Sequence, residues 1–331
     1  KNILSKDYKY HMKILAIQNR MGIGDTVIFL PYIEALYKKF NSPISLLVKE
    51  SSKADQYLFQ TNYIDKILIL ERDKNNNSRH SGFLGSFNLI KDLKKYNFDK
   101  IFIFNSSLRF NLIARLSNIP DIYQYPLFDK NKQHITDTPK KFFKDKLNLN
   151  INDNPNIQIS NDLILGAIKN FQIDKNELNI LMGIGGSGPT KRIPSRTFLK
   201  VIEKTLEIKK SKFFLATGKN SEEQIILKEI LDSKFRNFCV PLDKFSIRET
   251  LPIIKNCNLS ICNDSSFSHL SAALGIKTIT LMADTPLIYG NYNSNMFPIL
   301  PDGEETVSHN TLGKEKINSE KIFNKLIEII N

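Results

Sequence analysis

The 331-residue sequence is poor in the residues that mark several classes of protein. It has three cysteines, an odd number, at Cys239, Cys257 and Cys262, and none belongs to a Cys-x-x-Cys pair. We therefore expect no disulfide framework, but buried thiols that pack as small apolar groups in a reducing compartment. With 14 glycines and 13 prolines, the chain also lacks the composition of fibrous or disordered proteins and belongs to the globular class.

Long apolar runs are missing as well. No run approaches the roughly 18 residues that a helix needs to cross a bilayer. The first residues, KNILSKDYKYHMKILAI, lack the basic, apolar and small-residue order of a signal peptide. We expect a cytoplasmic protein, peripheral where it contacts a membrane, with a polar N-terminal extension over residues 1–11.

Acidic residues are scarce in the first half of the chain. Residues 1–160 contain 25 Lys and Arg against 15 Asp and Glu, whereas residues 161–331 contain 22 against 19. Most of the formal net charge of +13 therefore lies in the first half, which we expect to face an acidic partner. Because no arginine-rich or aromatic-interleaved pattern occurs, we predict an anionic membrane surface or substrate and no nucleic acid.

Metal and cofactor motifs are also missing. The sequence has no Asp-x-Asp to hold a divalent cation against a diphosphate, no Walker A loop and no Gly-x-Ser-x-Gly elbow. Its five histidines are scattered at His11, His80, His134, His269 and His309, without metal-ligand spacing. We predict neither a metal site nor a resident cofactor.

What the sequence does have is a regular alternation of short apolar runs with amphipathic stretches. The runs predict strands at 13–18, 44–48, 66–70, 100–104, 179–184, 212–216, 236–240, 258–262 and 277–282. The stretches predict helices at 26–40, 52–60, 84–96, 108–117, 195–208, 221–232, 246–255 and 266–274. This rhythm is typical of βαβ units, so the fold class is α/β and each half is predicted to be a doubly wound parallel sheet.

The pattern weakens between residues 128 and 178, where NINDNPN at 150–156 has the composition of a connection between domains. We predict one domain over 12–165, a second over 166–315, and a closing helix over 316–331 with Ser319 as its N-cap. Ligands of such sheets bind outside the carboxyl ends of the strands. Three polar clusters of the sequence fall at such ends.

The first cluster, NRMGIGDTVIFLP at 19–31, follows the first strand. Gly22 and Gly24 allow a tight turn, and Asp25 stands where a helix is predicted to begin. Capping of that helix would be a sufficient explanation of Asp25, and a site role remains open beside it. The cluster is not a dinucleotide fingerprint, because Val27 occupies the position of the third glycine.

The second cluster, MGIGGSGPTKRIPSRTF at 182–198, contains Gly-x-Gly-x-x-Gly as Gly183, Gly185 and Gly188. A nicotinamide-dependent dehydrogenase is therefore one alternative. Two prolines postpone the following helix to about Ser195, however, and no acidic residue ends the next strand to hold a ribose.

The same loop offers hydroxyls at Ser187 and Thr190 and cations at Lys191 and Arg192. A flexible backbone with such groups indicates an anion cradle. A solvated loop ahead of a capped helix is the alternative interpretation.

The third cluster is NDSSFSHLSAALG, residues 263–275. A helix that begins near Ser266 exposes unpaired N–H groups, and the hydroxyls of Ser265 and Ser266 add donors, so this helix start suits a phosphate. Gly275 would end the helix. His269 lies one turn in, and both a structural histidine and a ligand contact remain open.

Taken together, GIGDTVIFLP, SGPTKRIP, and NDSSFSHLSAALG followed by ADTP resemble glycosyltransferase family 9, the family of the ADP-heptose:lipopolysaccharide heptosyltransferases. The resemblance covers residues 12–330 in the same order. It implies the GT-B architecture, in which two Rossmann-like parallel-sheet domains face a central cleft. It also implies inverting sugar transfer without a metal ion, with an acceptor-side first domain and a second domain that binds the nucleotide-sugar donor.

The resemblance also assigns roles to single residues. Asp25 matches the proposed catalytic base, Lys191 the lysine at the donor diphosphate and Asp264 the acid at the donor sugar. Ser265 and Ser266 match positions at the diphosphate, where Ser187 and Thr190 are expected to assist. Gly22 and Gly24 are then a cleft loop, and the nucleotide side is assigned to Gly218, Met282 and His269.

The implied reaction moves a sugar, best guess heptose from ADP-heptose, onto an anionic lipopolysaccharide core or related surface glycan. The chain departs from the family at Ile193, where a tryptophan is frequent, at Ser266, where a glycine is frequent, and in its ADTP loop, 283–286. These departures leave the donor open. A GT-B nucleotide-sugar epimerase and a non-catalytic nucleotide-sugar-binding protein are the alternatives.

Overall fold

The computed structural model describes residues 11–72, 78–127 and 134–331, which form two compact units. The first unit runs to Met21 and includes Phe29–Ala54 and Asn62–Asp153. The second unit comprises Gly22–Ile28, Asp55–Thr61 and Asn154–Asn331. The predicted extension over 1–11 lies outside the described residues except for residue 11, and the acceptor and donor roles of the predicted domains stay predictions.

The first unit is built around a five-stranded parallel sheet. Its strands are β1 (Ile14–Gln18), β2 (Ile44–Lys49), β3 (Ile64–Leu70), β4 (Lys100–Ile103) and β5 (Asp121–Gln124). Their order is β3-β2-β1-β4-β5, and Ile14 of the central strand pairs with Ile44 on one side and Lys100 on the other. All of β1 is buried, as expected of a parallel strand covered on both faces.

The second unit contains a six-stranded parallel sheet. Its strands are β6 (Leu178–Gly183), β7 (Ser211–Ala216), β8 (Cys239–Pro241), β9 (Leu259–Asn263), β10 (Thr278–Leu281) and β11 (Met296–Ile299). Their order is β11-β10-β9-β6-β7-β8. The strands β6 and β9 are direct neighbours, with Gly183 beside Cys262. The loops that follow these two strands therefore meet at one edge of the sheet.

Helices follow nearly every strand. Along the chain they are α1 (Ile23–Phe40), α2 (Ala54–Tyr57), α3 (Gly82–Lys94), α4 (Leu108–Leu116), α5 (Asp137–Leu147), α6 (Asn161–Asn170), α7 (Ser195–Ile208), α8 (Ser221–Leu231), α9 (Ile247–Lys255), α10 (Ser266–Ala273), α11 (Ile288–Asn291) and α12 (Ser319–Ile330). The prediction of an α/β fold with two parallel sheets is confirmed. None of the helices in the described residues is both long and apolar enough to cross a membrane.

Several predicted elements were wrong in their limits. The helix predicted from residue 26 begins at Ile23, because Asp25 caps its first turn from inside. The stretch at 52–60 holds a 3-10 turn, Glu50–Ser52, and then the four residues of α2. The predicted strand at 236–240 begins with another 3-10 turn, Arg236–Phe238, so that only its end belongs to β8.

The region predicted as a connection between 128 and 178 contains two helices, α5 and α6. The apolar positions of α5 are not evident in the sequence because lysines and aspartates stand between them. In the structure its Phe142 and Phe143 are buried among aromatic rings. At the other end of the chain, the N-cap of α12 is Asn318 rather than Ser319, because the Asn318 side chain accepts the N–H of Glu320.

The closing helix belongs to the second unit. Ile322 and Leu326 of α12 are fully buried in the core that Phe198 of α7 and Phe213 of β7 share. The three cysteines are free and buried, as predicted, and burial raises the pKa of the Cys239 thiol to about 12.

Candidate functional site

Two of the predicted site residues form an ion pair where the loops after β6 and β9 meet. Lys191 ends the 3-10 turn Pro189–Lys191, and its Nζ donates to Oδ2 of Asp264 over 2.8 Å. The Asp264 side chain is 5% exposed and that of Lys191 is 22% exposed. Burial raises the pKa of Asp264, but Lys191, His269 and the Thr285 hydroxyl together hold the pKa below its ordinary value. The Asp264 carboxylate therefore remains ionised at neutral pH.

His269 extends this cluster from the first turns of α10. Its ring is buried and stacks on the ring of Tyr292, whose hydroxyl lies 2.8 Å from Nδ1. Its Nε2 lies 3.9 Å from Oδ1 of Asp264. Burial lowers the pKa of His269 below its ordinary value of 6.5, although Asp264 and Asp25 act in the opposite direction. The ring is therefore neutral at pH 7.

Asp25 reaches the same cluster from the first turn of α1. Asp25 is the third residue of α1 and not its N-cap, and its Oδ2 accepts the N–H of Gly22, which precedes the helix, over 3.0 Å. Gly24 packs against the ring of His269, where a Cβ on Gly24 would lie 2.5 Å from Nε2. Asp25 also acts electrostatically on His269. These four residues of the second unit form one group, which we call the charged cluster: Asp25, Lys191, Asp264 and His269.

The absence of a side chain at Gly24 is needed for this packing. We expect Gly24→Ala to lower the free energy of unfolding by about 1 to 3 kcal/mol, because the added methyl group must displace a buried ring. Chemical denaturation of the purified protein measures the change.

Gly166, in α6, is the matched control. A Cβ there meets no atom within 4 Å, so Gly166→Ala is expected to raise the free energy of unfolding by about 0.5 to 1 kcal/mol. Equal effects of the two substitutions would show that the contact between Gly24 and His269 is not a tight one.

Neutral His269 predicts a pH dependence of stability. An unfolded histidine binds a proton near pH 6.5, whereas the buried ring binds one only at lower pH. The free energy of unfolding should therefore fall as the pH drops below 6.5, by at most about 1.4 kcal/mol per pH unit from this group. In urea titrations His269→Asn should flatten this dependence, whereas the exposed control His309→Asn should leave it unchanged. A slope that is the same in all three proteins would contradict a neutral buried ring.

The start of α10 has the chemistry predicted for an anion site. Ser265 is the N-cap, with an extended φ of −149°, and its side chain does not cap the helix. Its Oγ is buried and has no hydrogen-bond partner among the described residues. Ser266 is the first residue of the helix, whose first N–H groups have no acceptors within the helix. An incoming phosphate oxygen could satisfy these donors.

The glycine-rich loop after β6 is fixed by buried polar groups. The amide Nδ2 of Asn263, at the end of β9, donates to the carbonyls of Ile184 over 2.8 Å and of Gly185 over 3.1 Å. The N–H of Gly186 donates to Oε1 of Glu223 over 2.6 Å, and Arg192 donates to the carbonyl of Gly186 over 3.0 Å. The loop is therefore held from three sides before any ligand arrives.

The remaining predicted residues have different surroundings. Ser187 is exposed, and the Thr190 hydroxyl forms a hydrogen bond with Asp284 of the ADTP loop. Burial raises the pKa of Asp284, but the N–H of Leu312 and this hydroxyl lower it below its ordinary value. Met282 is fully buried, with its Sδ where a Cβ of Gly290 would lie, so only movement of its side chain would give it a ligand contact.

Gly218 lies against a residue that the sequence did not single out. A Cβ on Gly218 would lie 2.2 Å from Oε2 of Glu223, and one on Gly185 would lie 2.5 Å from Oε1. In sequence, Glu223 looks like an ordinary acidic residue in the first turn of α8, after the N-cap Asn220. What distinguishes Glu223 is that it is only 6% exposed, which the sequence alone does not reveal. Tyr292 was missed because its contact with His269 exists only in the folded chain, and Asn263, although part of the third cluster, was given no role of its own.

Within the part of the chain that the structure describes, no group of three or more His, Cys, Asp or Glu side chains could hold a metal ion. The charged cluster is instead a paired cation and carboxylate, a neutral imidazole and a second carboxylate. Such a set can transfer a proton through a carboxylate and neutralise an anion through an ammonium group and helix N–H groups.

The chain is similar to known proteins over most of its length. The model of the family described as glycosyltransferase family 9 (heptosyltransferase) matches residues 86–299. A lipopolysaccharide heptosyltransferase 1 from Campylobacter coli is 24% identical over 336 residues, which cover 92% of this chain and 93% of that protein.

Two solved structures have the same fold. The family 9 glycosyl transferase from Veillonella parvula has a TM-score of 0.76 at 18% identity and covers 96% of this chain and 97% of its own. The E. coli ADP-heptose lipopolysaccharide heptosyltransferase II has a TM-score of 0.72 at 15% identity, covering 96% and 98%. The segment matched by the family model is well over half of the chain and contains Lys191 and Asp264. The chain therefore belongs to glycosyltransferase family 9 and is a glycosyltransferase.

Proposed function

We propose that the protein transfers heptose from ADP-heptose, with inversion and without a metal ion, onto the core of a lipopolysaccharide or a related surface glycan. The observation that carries the proposal is the charged cluster. It combines a carboxylate on the first turn of α1 with a buried ion pair beside the start of α10. These are the two chemical functions that inverting transfer requires, a base and a stabilised leaving group.

Asp25 is proposed as the base. The acceptor hydroxyl attacks the anomeric carbon of the donor from the face opposite the diphosphate and loses its proton to the Asp25 carboxylate. The new glycosidic bond forms as the bond to the diphosphate breaks, which inverts the anomeric centre. The N–H of Gly22 holds one oxygen of Asp25, so the orientation of the carboxylate is set before the substrates bind.

Lys191 and the start of α10 are proposed to stabilise the departing diphosphate. Lys191 carries the positive charge, and Ser265 Oγ is a buried hydroxyl with no partner among the described residues. Ser187, Thr190 and Ser266 would add contacts from the same loops. Asp264 would accept hydrogen bonds from hydroxyls of the donor sugar. In the absence of donor, its ion pair with Lys191 also keeps the ammonium group at the site.

The donor is proposed as ADP-heptose because the E. coli protein with the same fold is an ADP-heptose lipopolysaccharide heptosyltransferase. Gly218, Met282 and His269 remain proposed for the nucleotide side. His269 is the best supported of the three, because its ring already touches Asp264 and Tyr292 at the site.

The acceptor is proposed to be an anionic glycolipid held at the cytoplasmic face of the inner membrane. Two observations support this choice. The Campylobacter coli relative is a lipopolysaccharide heptosyltransferase, and residues 1–160 of this chain have an excess of lysine and arginine. A basic surface raises the local concentration of an anionic substrate.

A thermal-shift panel of nucleotide sugars tests the donor. A ligand at about a hundred times its Kd stabilises the folded protein by about 2.7 kcal/mol. For a domain of this size that is a rise in Tm of about 5 to 10 °C. We expect this rise with ADP-heptose and a smaller one with UDP- and GDP-sugars or NAD.

Incubation of the same donor without acceptor then tests the reaction class. The proposal expects donor that stays intact or is slowly hydrolysed. An epimerised nucleotide sugar would indicate the epimerase alternative, and tight binding with neither hydrolysis nor transfer to any glycan would indicate a binding protein.

A further inference from the structure

Two neighbouring helices of the first unit expose large apolar side chains to solvent. On α3, Phe83, Leu84 and Phe87 are 78%, 77% and 52% exposed. On α4, three leucines spaced four residues apart are between 44% and 54% exposed. We call this surface the α3/α4 patch; its members are Phe83, Leu84, Phe87, Leu108, Leu112 and Leu116. Contiguous apolar surface of this kind on a folded protein usually marks a contact site.

The two helices that carry the patch pack against each other. Arg109 of α4 donates through Nε to the hydroxyl of Ser86 on α3 over 2.8 Å, which ties the helix starts together. The rings of Phe83 and Phe87 lie edge to face, with centroids 5.1 Å apart. The exposed apolar side chains therefore belong to two helices that contact each other near their first turns.

The exposed side chains are not needed to build the core. The inner face of α3 already contributes Leu89 and Leu93 to the core, and the inner face of α4 contributes Phe110 and Ile113. An amphipathic helix ordinarily carries polar residues on its outer face. The outer leucines and phenylalanines therefore call for an explanation outside the fold itself.

The charge around the patch is mainly positive. Residues 82–116 contain six Lys and Arg and two acidic residues. Of the two acidic residues, Asp92 is bound by Arg79 and by Lys95 at 2.8 Å each, and Asp99 accepts the N–H of Lys13 over 2.7 Å. Lys91 and Lys94 continue the exposed side of α3 beyond Phe87, and Arg115 lies between the exposed leucines of α4.

Apolar side chains with a basic rim match the chemistry of an anionic lipid surface. Aromatic and leucine side chains enter the boundary between headgroups and acyl chains, and lysine and arginine interact with the anionic headgroups. We propose that the α3/α4 patch docks the protein on the surface of an anionic lipid bilayer. The inference rests on the proposed function for its purpose, which is to bring the enzyme to a membrane-held acceptor, but its test does not use the transfer reaction.

Co-sedimentation with vesicles tests the proposal. The purified full chain is mixed with vesicles of phosphatidylcholine alone, or of equal parts phosphatidylcholine and phosphatidylglycerol, at low salt. We expect binding to the anionic vesicles that weakens with added salt, and little binding to the neutral ones. Phe83→Ser with Phe87→Ser should lower the partition coefficient by about tenfold or more, because two rings no longer enter the interface. Lys91→Glu with Lys94→Glu should give a loss of about the same size.

The matched control is Leu165→Ser with Ile225→Ser, which replaces side chains that are 62% and 57% exposed in the second unit. This control should bind anionic vesicles like the unchanged protein. Should the phenylalanine variant fold poorly, as judged by its Tm, Leu108→Ser with Leu112→Ser tests the other half of the patch and should lose binding to a similar extent.

Three results would overturn the proposal. The first is that the unchanged chain does not bind anionic vesicles, and the second is that the patch variants bind them equally well. The third is a concentration-dependent dimer that only the patch variants lose, because it would assign the surface to a second copy of the chain. Transfer to a detergent-dispersed acceptor should be unchanged in the patch variants. Patch variants that lose vesicle binding but keep transfer would support the docking surface whatever the reaction. A chain that binds anionic vesicles through the patch but transfers no sugar would contradict only the proposed reaction.

Discussion

Asp25→Asn is expected to lower the rate of sugar transfer by about a hundredfold to ten-thousandfold, the usual range for loss of a positioned general base. Asparagine keeps an oxygen that can accept the N–H of Gly22, so the first turn of α1 should keep its cap. Donor binding should stay within about twofold of the unchanged protein, because the proposed diphosphate contacts come from other residues. Initial rates and a donor titration on the same preparation measure the two quantities.

The control for this variant is Asp162→Asn. Asp162 also stands in the first turn of a helix, α6, outside the charged cluster, and its replacement should leave the transfer rate unchanged. A rate for Asp25→Asn close to that of Asp162→Asn would remove Asp25 from the role of base and leave capping as its whole function.

Lys191→Ala is expected to weaken donor affinity by about ten- to hundredfold and to lower the transfer rate with it. The substitution removes a charged hydrogen bond that the diphosphate would otherwise receive. It also leaves Asp264, 5% exposed, as a buried carboxylate without its cation. Loss of one partner from such a pair should lower the free energy of unfolding by about 3 kcal/mol.

A repair variant separates the two effects of Lys191. Lys191→Met combined with Asp264→Asn removes both charges and should recover most of the lost stability, because no unpaired charge remains buried. Its donor affinity should remain weak, since the ammonium group is still missing. The exposed pair of Lys234 with Glu203 provides the control, and Lys234→Ala should change stability by less than about 1 kcal/mol and donor affinity not at all. An unchanged donor titration for Lys191→Ala would contradict the diphosphate role.

The parts of the fold that follow from sequence periodicity were the predictable ones. Strands such as β1, β6 and β9 are fully buried apolar runs, so their residue types alone identify them. The strands β5 and β11 lie at the edges of their sheets and are only partly buried, so neither forms a buried apolar run and neither was predicted. The helix α5 was also missed, because its buried phenylalanines stand among lysines and aspartates that face solvent.

The site could be predicted only in part. Lys191 and Asp264 were recognised because each stands in a polar cluster after a strand and matches a family motif, but their contact depends on β6 and β9 being neighbours in the sheet. That adjacency is a property of strand order, which spacing along the chain does not encode. Tyr292 and Glu223 escaped notice for a related reason, since neither belongs to a motif and each matters through a contact made only in the folded chain, with His269 or with the glycine-rich loop. Whether His269 was structural or exposed to ligand was likewise undecided before its neighbours were known.

The most direct test of the central claim is a transfer assay with the purified chain, ADP-heptose and a lipopolysaccharide acceptor that lacks its core heptose. The proposed function predicts an acceptor heavier by one heptose, one ADP released for each heptose transferred, and an inverted anomeric centre in the product. It also predicts full activity in the presence of a metal chelator and almost none with Asp25→Asn. Binding of ADP-heptose without ADP release, or transfer at an undiminished rate by Asp25→Asn, would contradict the account.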